Sequence, residues 1–243
     1  MDIGGSGIKG CPVDLETGEL IGERLRIDTP QPSTPEAVFD VVRRVVGEFD
    51  WTGPIGVTFP GVMKLGVAHT AANVDKGWVD TDVDAGLEAV IPCAVHTLND
   101  ADAAGLAEMR YGAGRGRDGV VLMLTFGTGI GSALFVNGTL VTNTEFGHIQ
   151  VDGEDGERRA SAAAKDRHEL SYPEWAERVD RYLDVLEGSL WPDLIIVGGG
   201  VSKKAHKWVP LLSTRTPVVP AELQNDAGIV GAALAAHEGS EPA

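Results

Sequence analysis

A short turn built from glycine and a hydroxyl residue occurs twice in this chain. The first copy is Gly5-Ser6-Gly7-Ile8 and the second is Gly127-Thr128-Gly129-Ile130. Glycines let backbone N–H groups come close to an anion, and Ser or Thr adds a hydroxyl donor. Between the two turns along the chain, Asn99-Asp100-Ala101-Asp102 supplies carboxylates. Two phosphate-binding turns and a central acid together indicate phosphoryl transfer.

The first turn also matches the dinucleotide-binding pattern, and the residues that follow it show whether that pattern applies. Residues 5–10 have the spacing GxGxxG, but a dinucleotide-binding fold needs a helix to begin there. Cys11-Pro12-Val13-Asp14 follows instead and favours a strand, which excludes that fold. The sequence has no GxxxxGKS or GxxxxGKT segment and therefore no P-loop. A plain glycine hairpin would explain one copy of the turn, whereas the second copy favours phosphate binding.

Side chains beside these turns have both functional and structural interpretations. Asp2 precedes the first turn, where it is placed to order a magnesium-bound water, since Mg²⁺ prefers few carboxylates and several waters. The alternative for Asp2 is a surface acid, and Lys9 either meets phosphate or is solvated. Asn99 and Asp100 are typical helix N-cap residues. In the functional interpretation, Asp100 is the base that accepts a hydroxyl proton.

Three downstream segments complete the candidate site. Glu145 and His148 follow a hairpin and are placed to reach a polyhydroxylated ligand, with a loop capped by the Glu as the alternative. Gly198-Gly199-Gly200 follows an apolar strand and either admits a nucleotide base or phosphate or makes a tight turn. The next residues form a basic cluster, which indicates a polyanion site or a solvated helix face: Lys203, Lys204, His206 and Lys207.

Composition bounds the class of protein and its partners. The 243 residues suffice for one large domain or two modest ones, and 43% apolar with 23% charged residues is typical of a globular protein. The net charge of −16 argues against nucleic-acid binding. Cys11 and Cys93 form no CxxC pair, so we expect neither a zinc site nor a disulfide. We therefore expect a cytoplasmic protein. Apolar runs are too short to span a bilayer, so no membrane partner is expected.

Hydrophobic periodicity predicts alternating strands and helices. Strands are predicted up to Ile3, over 8–13, 20–27, 55–59, 94–98, 194–197 and 217–219, and as a pair around the second turn across 119–141. Helices are predicted over 35–49, 83–90, 100–112, 161–170, 173–186 and 225–236. Residues 152–159 are expected to form a charged loop and 237–243 a frayed tail. The order indicates two α/β lobes related by the duplicated turn, with a cleft between them.

Several long segments of the chain are similar to one family. They are DIGGSGIKG (2–10), TFPGV (58–62), LNDADAAGLAEMRYGAG (98–114), LTFGTGIGSALFVNGTLV (124–141), NTEFGH (143–148) and IIVGGGVSKK (195–204). Together they resemble the ROK family of sugar kinases, within the actin-like ATPase superfamily, and most of all its bacterial polyphosphate glucokinases. The resemblance implies an α/β, actin-like ATPase (ribonuclease H-like) fold with two lobes around a central cleft. It implies a small lobe at 1–98 plus 226–243 and a large lobe at 99–225.

The resemblance also implies an activity and a set of site residues. The implied reaction moves a phosphoryl group from inorganic polyphosphate, or ATP, to O6 of glucose, with Mg²⁺, in a homodimer. Asp100 matches the catalytic base. The positions that match glucose contacts are Asn73, Asn99, Asp100, Glu145, His148 and Glu157. The phosphate or nucleotide positions are Asp2, Gly4, Gly5, Ser6, Gly7, Lys9, Thr125, Gly127, Thr128, Gly129, Gly198, Gly199, Gly200, Lys203 and Lys204, with Asp2 also holding Mg²⁺ through water. Further cationic candidates for polyphosphate are Arg110, Arg115, Arg117 and Lys207.

The chain departs from the family pattern in two ways that affect function. The zinc motif CxCGxxGC is absent between residues 148 and 160, where acidic 151–155 stands instead. Since polyphosphate glucokinases also lack zinc, no zinc is expected. The family carries several more strand residues before its equivalent of Asp2. A truncated start is therefore expected, and it would weaken both the fold and the Mg²⁺ site.

Three alternative functions stay open at the level of sequence. One is a strictly ATP-dependent hexokinase for glucose, mannose or fructose. Another is a non-catalytic sugar sensor, but ROK repressors carry an N-terminal helix-turn-helix, whereas here the first phosphate motif starts at Met1. The third is an inactive relic, in which the short first strand has abolished turnover.

Overall fold

The computed structural model describes residues 1–240, which divide into two compact units. The first unit is Met1–Ala107 together with the segment that begins at Asp226, and the second is Glu108–Asn225. The division falls inside the helix that begins at Asp100, whereas the sequence analysis places it after residue 98. The start of this helix belongs to the first unit because Ala103 packs in a buried cluster with Ala232. Glu108 belongs to the second unit, where its carboxylate accepts the N–H groups of Glu222 and Leu223.

The strands and helices follow in chain order. Residues 1–240 contain seventeen strands, β1 to β17: Asp2–Ile3, Ile8–Gly10, Val13–Asp14, Glu19–Leu20, Leu25–Ile27, Ile55–Phe59, Met63–Lys64, Val67–Ala68, Thr81–Asp82, Val95–Asn99, Val120–Phe126, Ile130–Val136, Thr139–Val141, Gln150–Val151, Glu154–Asp155, Leu194–Gly198 and Val218–Pro220. The same residues contain seven α-helices, α1 to α7: Pro35–Glu48, Val83–Glu88, Asp100–Tyr111, Gly156–Ala160, Ala162–Arg167, Tyr172–Leu190 and Ala227–Ser240. No helix in this described part of the chain is both long and apolar enough to cross a membrane.

The first unit is built on a five-stranded sheet with the order β10-β6-β1-β2-β5. Strand β1 pairs antiparallel with β2 and parallel with β6, so the first glycine turn connects the strands of a central hairpin. All five residues of β6 are buried, as expected where a sheet is covered on both faces. Trp78 is fully buried in this core, with ring centroids 5.5 Å from Phe39 and 4.8 Å from Phe59.

The second unit repeats this connectivity in the sheet β13-β12-β11-β16-β17. Strand β11 pairs antiparallel with β12 and parallel with β16, so the second glycine turn also closes a central hairpin. Phe126, at the end of β11, lies edge-on to Trp175, Tyr182 and Trp208, with centroids 5.7, 6.5 and 5.9 Å away. Such arrangements suit the ring quadrupole and fix the end of the strand. The predicted α/β class and the duplication of the turn are both confirmed.

The long helices begin at the signals that the sequence carries. Thr34 caps α1 by accepting the N–H of Ala37, and Pro35 occupies the first turn, where its missing N–H costs nothing. Ser171 and Glu174 form a reciprocal capping box at the start of α6. That helix ends at Leu190, because the next residue, Trp191, has a left-handed φ of 49° that stops further helical hydrogen bonding.

Several predicted elements were wrong in extent. The predicted strand over 8–13 is split into β2 and β3 because Pro12 has no N–H for a ladder. Residues 152–159 are not a loop: β15 pairs with β14, and α4 follows directly. The helix predicted over 161–170 is shorter and ends at Arg167. The three short strands β7, β8 and β9 form a sheet that the sequence analysis did not predict.

The C-terminal segment differs from the predicted frayed tail. Helix α7 continues to Ser240, so residues 237–240 are helical, while residues 241–243 lie outside the described residues. Small residues let α7 pack closely: a Cβ placed on Gly231 would lie 1.7 Å from the carbonyl oxygen of Ala103. The Gly/Ala-rich composition of α7 is therefore a steric requirement of helix packing as well as a helix signal.

Replacing Gly231 by Ala is expected to lower the free energy of unfolding by about 1–3 kcal/mol, because the added methyl group overlaps backbone. Gly47 is the matched control: it lies near the end of α1 and has no heavy atom within 4 Å of an added Cβ. Gly47→Ala should be neutral or stabilising by up to about 1 kcal/mol, through helix propensity. Urea denaturation of both variants measures this difference. Equal effects would contradict the close packing of α7.

Candidate functional site

The first glycine turn lies beside an ordered carboxylate. The Lys9 ammonium donates to Asp2 Oδ2 at 2.9 Å, and the Thr58 hydroxyl donates to Asp2 Oδ1 at 2.9 Å. Asp2 is thus a partly buried, fixed acid rather than a mobile surface group, and Lys9 is its ion-pair partner. A lone carboxylate with both oxygens already bound fits Mg²⁺ held through water better than direct coordination. Among residues 1–240, no group of three or more His, Cys, Asp or Glu side chains is arranged to hold a metal ion.

The backbone of the first turn is shaped by two neighbours. The Gly4 N–H donates to the Gly7 carbonyl at 3.1 Å and closes the turn. A Cβ on Gly5 would lie 2.6 Å from the carbonyl oxygen of Asn73, so this position tolerates only glycine. Asn73, one of the predicted sugar-binding residues, therefore lies directly beside the turn. The Arg26 guanidinium donates to the Ser6 carbonyl at 2.9 Å. Arg26 was not predicted from the sequence, because no motif marks this residue of the edge strand β5.

Asn99 and Asp100 occupy the junction between β10 and α3. Asn99 is buried, and its Oδ1 accepts the N–H groups of Ala101 at 2.8 Å and Asp102 at 3.1 Å. Its amide also donates to the Gly61 carbonyl at 3.0 Å, which ties the TFPGV segment to the helix. The N-cap interpretation of Asn99 is therefore confirmed. Asp100 is the first residue of the helix and is exposed, so its carboxylate is accessible to a ligand.

The second glycine turn adjoins the triple-glycine loop. The Gly127 N–H donates to the Gly129 carbonyl at 2.9 Å, and both Gly127 and Thr128 are exposed. Thr125, at the end of β11, pairs in register with Gly198 on β16. Gly199 has a φ of 82°, and a Cβ there would lie 2.2 Å from the Phe126 carbonyl oxygen. The structure thus brings together two of the predicted phosphate-binding segments within the second unit.

A polar cluster lies against the second turn. Glu157 Oε2 accepts the N–H of Ile130 at 3.3 Å, and its other oxygen is 4.0 Å from His148 Nδ1. His148 Nε2 is 3.9 Å from Glu145 Oε2, so the three predicted sugar-binding residues of this unit meet at one place. Asp155 joins them, with Oδ2 at 3.6 Å from His148 Nδ1. The sequence analysis missed Asp155 because it assigned that segment to a loop.

Glu145 does not cap the loop that follows it, and its surroundings raise its pKa. Its side chain makes no capping hydrogen bond to the short 3₁₀ turn Phe146–His148, so the interpretation as a capping Glu is wrong. The loop is instead fixed by Ser132, whose hydroxyl donates to the Thr144 carbonyl and accepts the Phe146 N–H at 3.0 Å. Burial raises the pKa of the Glu145 carboxyl, His148 opposes that shift and the Glu157 charge adds to it.

Tyr182 supports this cluster from below, on helix α6. Its hydroxyl donates to the Phe146 carbonyl at 3.1 Å, and its ring is fully buried. Burial raises the pKa of this phenol, with the Glu157 charge as a second cause, so the hydroxyl acts only as a hydrogen-bond donor. The ring also lies 2.6 Å from where a Cβ on Gly156 would be, which fixes the start of α4 and hence Glu157. Tyr182 is therefore a positioning residue that the sequence analysis did not identify.

The predicted basic cluster is exposed on a 3₁₀ segment, Gly200–Lys207, directly after the triple-glycine loop. Lys203 and Lys204 are both solvent-accessible. Lys207 lies over the ring of Tyr172, with its Nζ 5.7 Å from the centroid, and Lys165 Nζ is 4.8 Å from the same centroid. Lys165 thus adds a cation to the cluster that sequence spacing does not reveal.

Known proteins show similar sequences and folds over nearly the whole chain. A model of the ROK family matches residues 1–165. The polyphosphate glucokinase of Mycobacterium tuberculosis (strain CDC 1551 / Oshkosh) is 58% identical over 236 residues, which cover 97% of this chain and 89% of that protein. This chain therefore belongs to the ROK family.

Two solved structures give the same result for the fold. The inorganic polyphosphate/ATP-glucomannokinase of Arthrobacter sp. strain KM is 53% identical with a TM-score of 0.93, covering 98% of this chain and 97% of that one. A ROK family glucokinase from Streptomyces griseus, solved with glucose and AMPPNP, is 26% identical with a TM-score of 0.83, covering 98% of both chains. The predicted actin-like ATPase fold is confirmed.

Replacing Tyr182 by Phe is expected to lower the free energy of unfolding by about 1 kcal/mol, because the partly buried Phe146 carbonyl loses one of its two donors and keeps only the Ile149 N–H at 3.3 Å. Tyr172→Phe is the control, since the Tyr172 hydroxyl makes no hydrogen bond to residues 1–240 while its ring contacts Trp175. That variant should unfold like the wild type in urea. If the two variants were equally stable, the Tyr182 hydroxyl would not support the cluster.

Proposed function

We propose that this protein is a polyphosphate-dependent glucokinase, which transfers a phosphoryl group from inorganic polyphosphate, or from ATP, to O6 of glucose. The observation that carries the proposal is the pair of glycine hairpin turns at equivalent places in two sheets, with the exposed carboxylate of Asp100 at a helix start. The 58% identical relative is a polyphosphate glucokinase, and the 53% identical structure is an inorganic polyphosphate/ATP-glucomannokinase, which supports both the donor and the acceptor.

Asp100 is proposed as the general base. Its carboxylate accepts the proton of the glucose 6-hydroxyl as O6 attacks the terminal phosphorus of the donor. The bond between that phosphorus and the bridging oxygen breaks, and the donor leaves one phosphate shorter, or as ADP. The Ala101 N–H holds one carboxylate oxygen of Asp100 at 2.8 Å, which orients the group at the helix start.

Glucose is proposed to bind through the polar side chains that the structure fixes. Glu145, His148 and Glu157 offer acceptors and donors that meet at one place, and paired hydroxyls need such partners when they are taken out of water. Asn99 uses one amide N–H for the Gly61 carbonyl, which leaves a second N–H for a sugar hydroxyl. Asn73, exposed beside the first turn, is proposed as a further contact.

The phosphate groups are proposed to bind at the two turns and the triple-glycine loop. The N–H groups and hydroxyls of Gly4 to Gly7, and of Thr125 to Gly129, would stabilise the oxygens of the transferred group. Gly198 to Gly200 would admit the donor, with Lys203 and Lys204 as its cationic partners. Asp2 would hold Mg²⁺ through water, and the bound ion supplies charge neutralisation at the phosphoryl oxygens.

The setting of the reaction is also part of the proposal. Both cysteines are free thiols, which suits a reducing cytoplasm where ATP and polyphosphate are present. We expect a homodimer, on the basis of family membership, and the net charge of −16 disfavours nucleic acid as a partner.

Replacing Asp100 by Asn should lower kcat by about 10²-fold to 10⁴-fold with little change in glucose affinity, because the base is lost and its shape is kept. Glu36→Gln, which changes an exposed acid in the first turn of α1, should leave kcat unchanged. A coupled glucose 6-phosphate assay with Mg²⁺ and either donor measures both. A loss in Asp100→Asn of less than about tenfold would show that Asp100 is not the base.

Neutralising Lys203, Lys204 and Lys207 together should raise the KM for polyphosphate more than the KM for ATP. The reason is that polyphosphate has no base to stack, so its affinity depends on cations along the chain. The control is a triple variant with the same change in charge at Arg43, Arg44 and Lys64, which are exposed in the first unit. If the lysine variant raised both KM values equally, no dedicated polyphosphate track would exist.

The raised pKa of Glu145 predicts the pH dependence of glucose binding. An acid with a raised pKa takes up its proton at a higher pH, and the protonated carboxyl is a poorer acceptor for sugar hydroxyls. As the pH is lowered, the glucose KM should therefore begin to rise at a pH above 4.5, which is the ordinary pKa of a Glu carboxyl. Glu145→Gln should have a higher KM that no longer changes over this range. Parallel pH profiles for the wild type and the variant would exclude Glu145 as the titrating group.

A further inference from the structure

The second unit contains a basic cavity that the proposed reaction does not use. Its volume is about 510 Å³ and it is lined by Glu154, Arg158, Arg159, Arg167, His168 and Arg178. Four arginines and a single acidic residue therefore line one space, in a chain whose net charge is −16. A local cluster of positive charge on a protein with a negative net charge indicates a binding site for an anion.

Internal ion pairs do not neutralise this cavity. Within residues 1–240, Arg158, Arg167 and Arg178 have no carboxylate oxygen within 4.0 Å, and only Arg159 is paired, with Asp152 at 3.3 Å and Glu154 at 3.9 Å. Arg167 instead donates to the carbonyl of Arg158 at 2.9 Å. Arg158 and Arg167 are thus held close together by this hydrogen bond, although no carboxylate of the described residues pairs with either guanidinium group.

The acid one helical turn before Arg178 is also engaged elsewhere. Glu174 lies one helical turn before Arg178, but its Oε2 accepts the Ser171 hydroxyl at 2.6 Å and the Ser171 N–H at 2.9 Å. Asp152 is shared with Arg181, whose guanidinium donates to it at 3.0 and 3.1 Å. Glu174 and Asp152 are therefore already hydrogen-bonded; Arg178 still attracts Glu174 from beyond 4.0 Å, but the guanidinium groups of Arg158, Arg167 and Arg178 remain available to an anion.

Helix α5 connects this cavity with the lysine cluster. Lys165 of α5 and Lys207 of the cluster lie over the same Tyr172 ring. Two residues further along α5, Arg167 lines the cavity, and His168 caps the end of the helix beside it. Tyr172 and α5 therefore link the lysine cluster to the arginine cavity as a series of cations on one unit. Such a series suits an extended anion, and the planar guanidinium fork matches phosphate oxygens.

We propose that this arginine cavity is a distal binding subsite for inorganic polyphosphate, which takes the part of the chain remote from the transferred phosphoryl group. The proposal rests on the proposed function for its choice of ligand. It assigns two roles to the cations: the lysines hold the chain near the glycine loops, and the arginines hold its continuation. ATP and tripolyphosphate, with three phosphates each, occupy the first part alone. Only long chains should therefore depend on the cavity.

The experiment compares direct binding to the full chain in the absence of glucose. Arg158→Gln/Arg178→Gln and the control Arg43→Gln/Arg44→Gln remove equal charge, the control from exposed positions of α1. Calorimetry with long-chain polyphosphate should show an affinity loss of about tenfold for the first variant and little for the control. The reason is that salt screens distant exposed charges such as those of the control, but screens direct contacts with the ligand much less. Tripolyphosphate affinity and the KM for ATP should be unchanged. Arg158→Lys/Arg178→Lys keeps the charge and should retain most of the binding.

Several results would overturn the subsite. They are an unchanged affinity for long-chain polyphosphate, an equal loss with the control, an equal loss for tripolyphosphate, or no polyphosphate binding by the wild type. The failure of the proposed function gives a different result. In that case the wild type binds long chains and the arginine variant does not, but neither forms glucose 6-phosphate. Circular dichroism and urea denaturation of each variant establish that its fold is intact.

Discussion

The packing of the Glu157 carboxylate against the second glycine turn is the contact on which the candidate site of the second unit depends. One carboxylate oxygen accepts the Ile130 N–H at 3.3 Å, and a Cβ on Gly129 would lie 2.3 Å from that oxygen. A side chain at Gly129 would therefore push the Glu157 carboxylate away from the turn and weaken its hydrogen bond with the Ile130 N–H. The other oxygen faces His148, so Glu157 links the second glycine turn to the residues proposed to bind glucose.

The two sheets have the same connectivity but surround their turns with different chemistry. The first turn has the ion pair of Asp2 and Lys9 at its base, held in place by Thr58. The second turn has the acids around His148 on one side and the triple-glycine loop on the other. One hairpin geometry thus accompanies the acid proposed to face Mg²⁺ in the first unit and the cluster proposed to bind glucose hydroxyls in the second. The fold supplies the turn, and the residues beside it decide the function.

The sequence predicted the parts of the structure that local signals encode. The helix that begins with Pro35, the apolar run of β16 and the paired glycine turns all have short-range patterns, and all are confirmed. Asp155 and Tyr182 were missed because their roles arise from contacts with residues far along the chain. The small sheet of β7 to β9 was missed because its two-residue strands are too short to show a period.

The central claim is that polyphosphate donates to the 6-hydroxyl of glucose, and ³¹P NMR of the purified protein with Mg²⁺, glucose and polyphosphate tests it most directly. The account predicts a growing phosphomonoester signal of glucose 6-phosphate, matched by loss of polyphosphate phosphorus and without a comparable rise in orthophosphate, because the acceptor is the sugar and not water. A phosphomonoester signal that forms with ATP alone would contradict the choice of donor. Release of orthophosphate without a sugar phosphate, or no change with either donor, would contradict the assignment as a glucokinase.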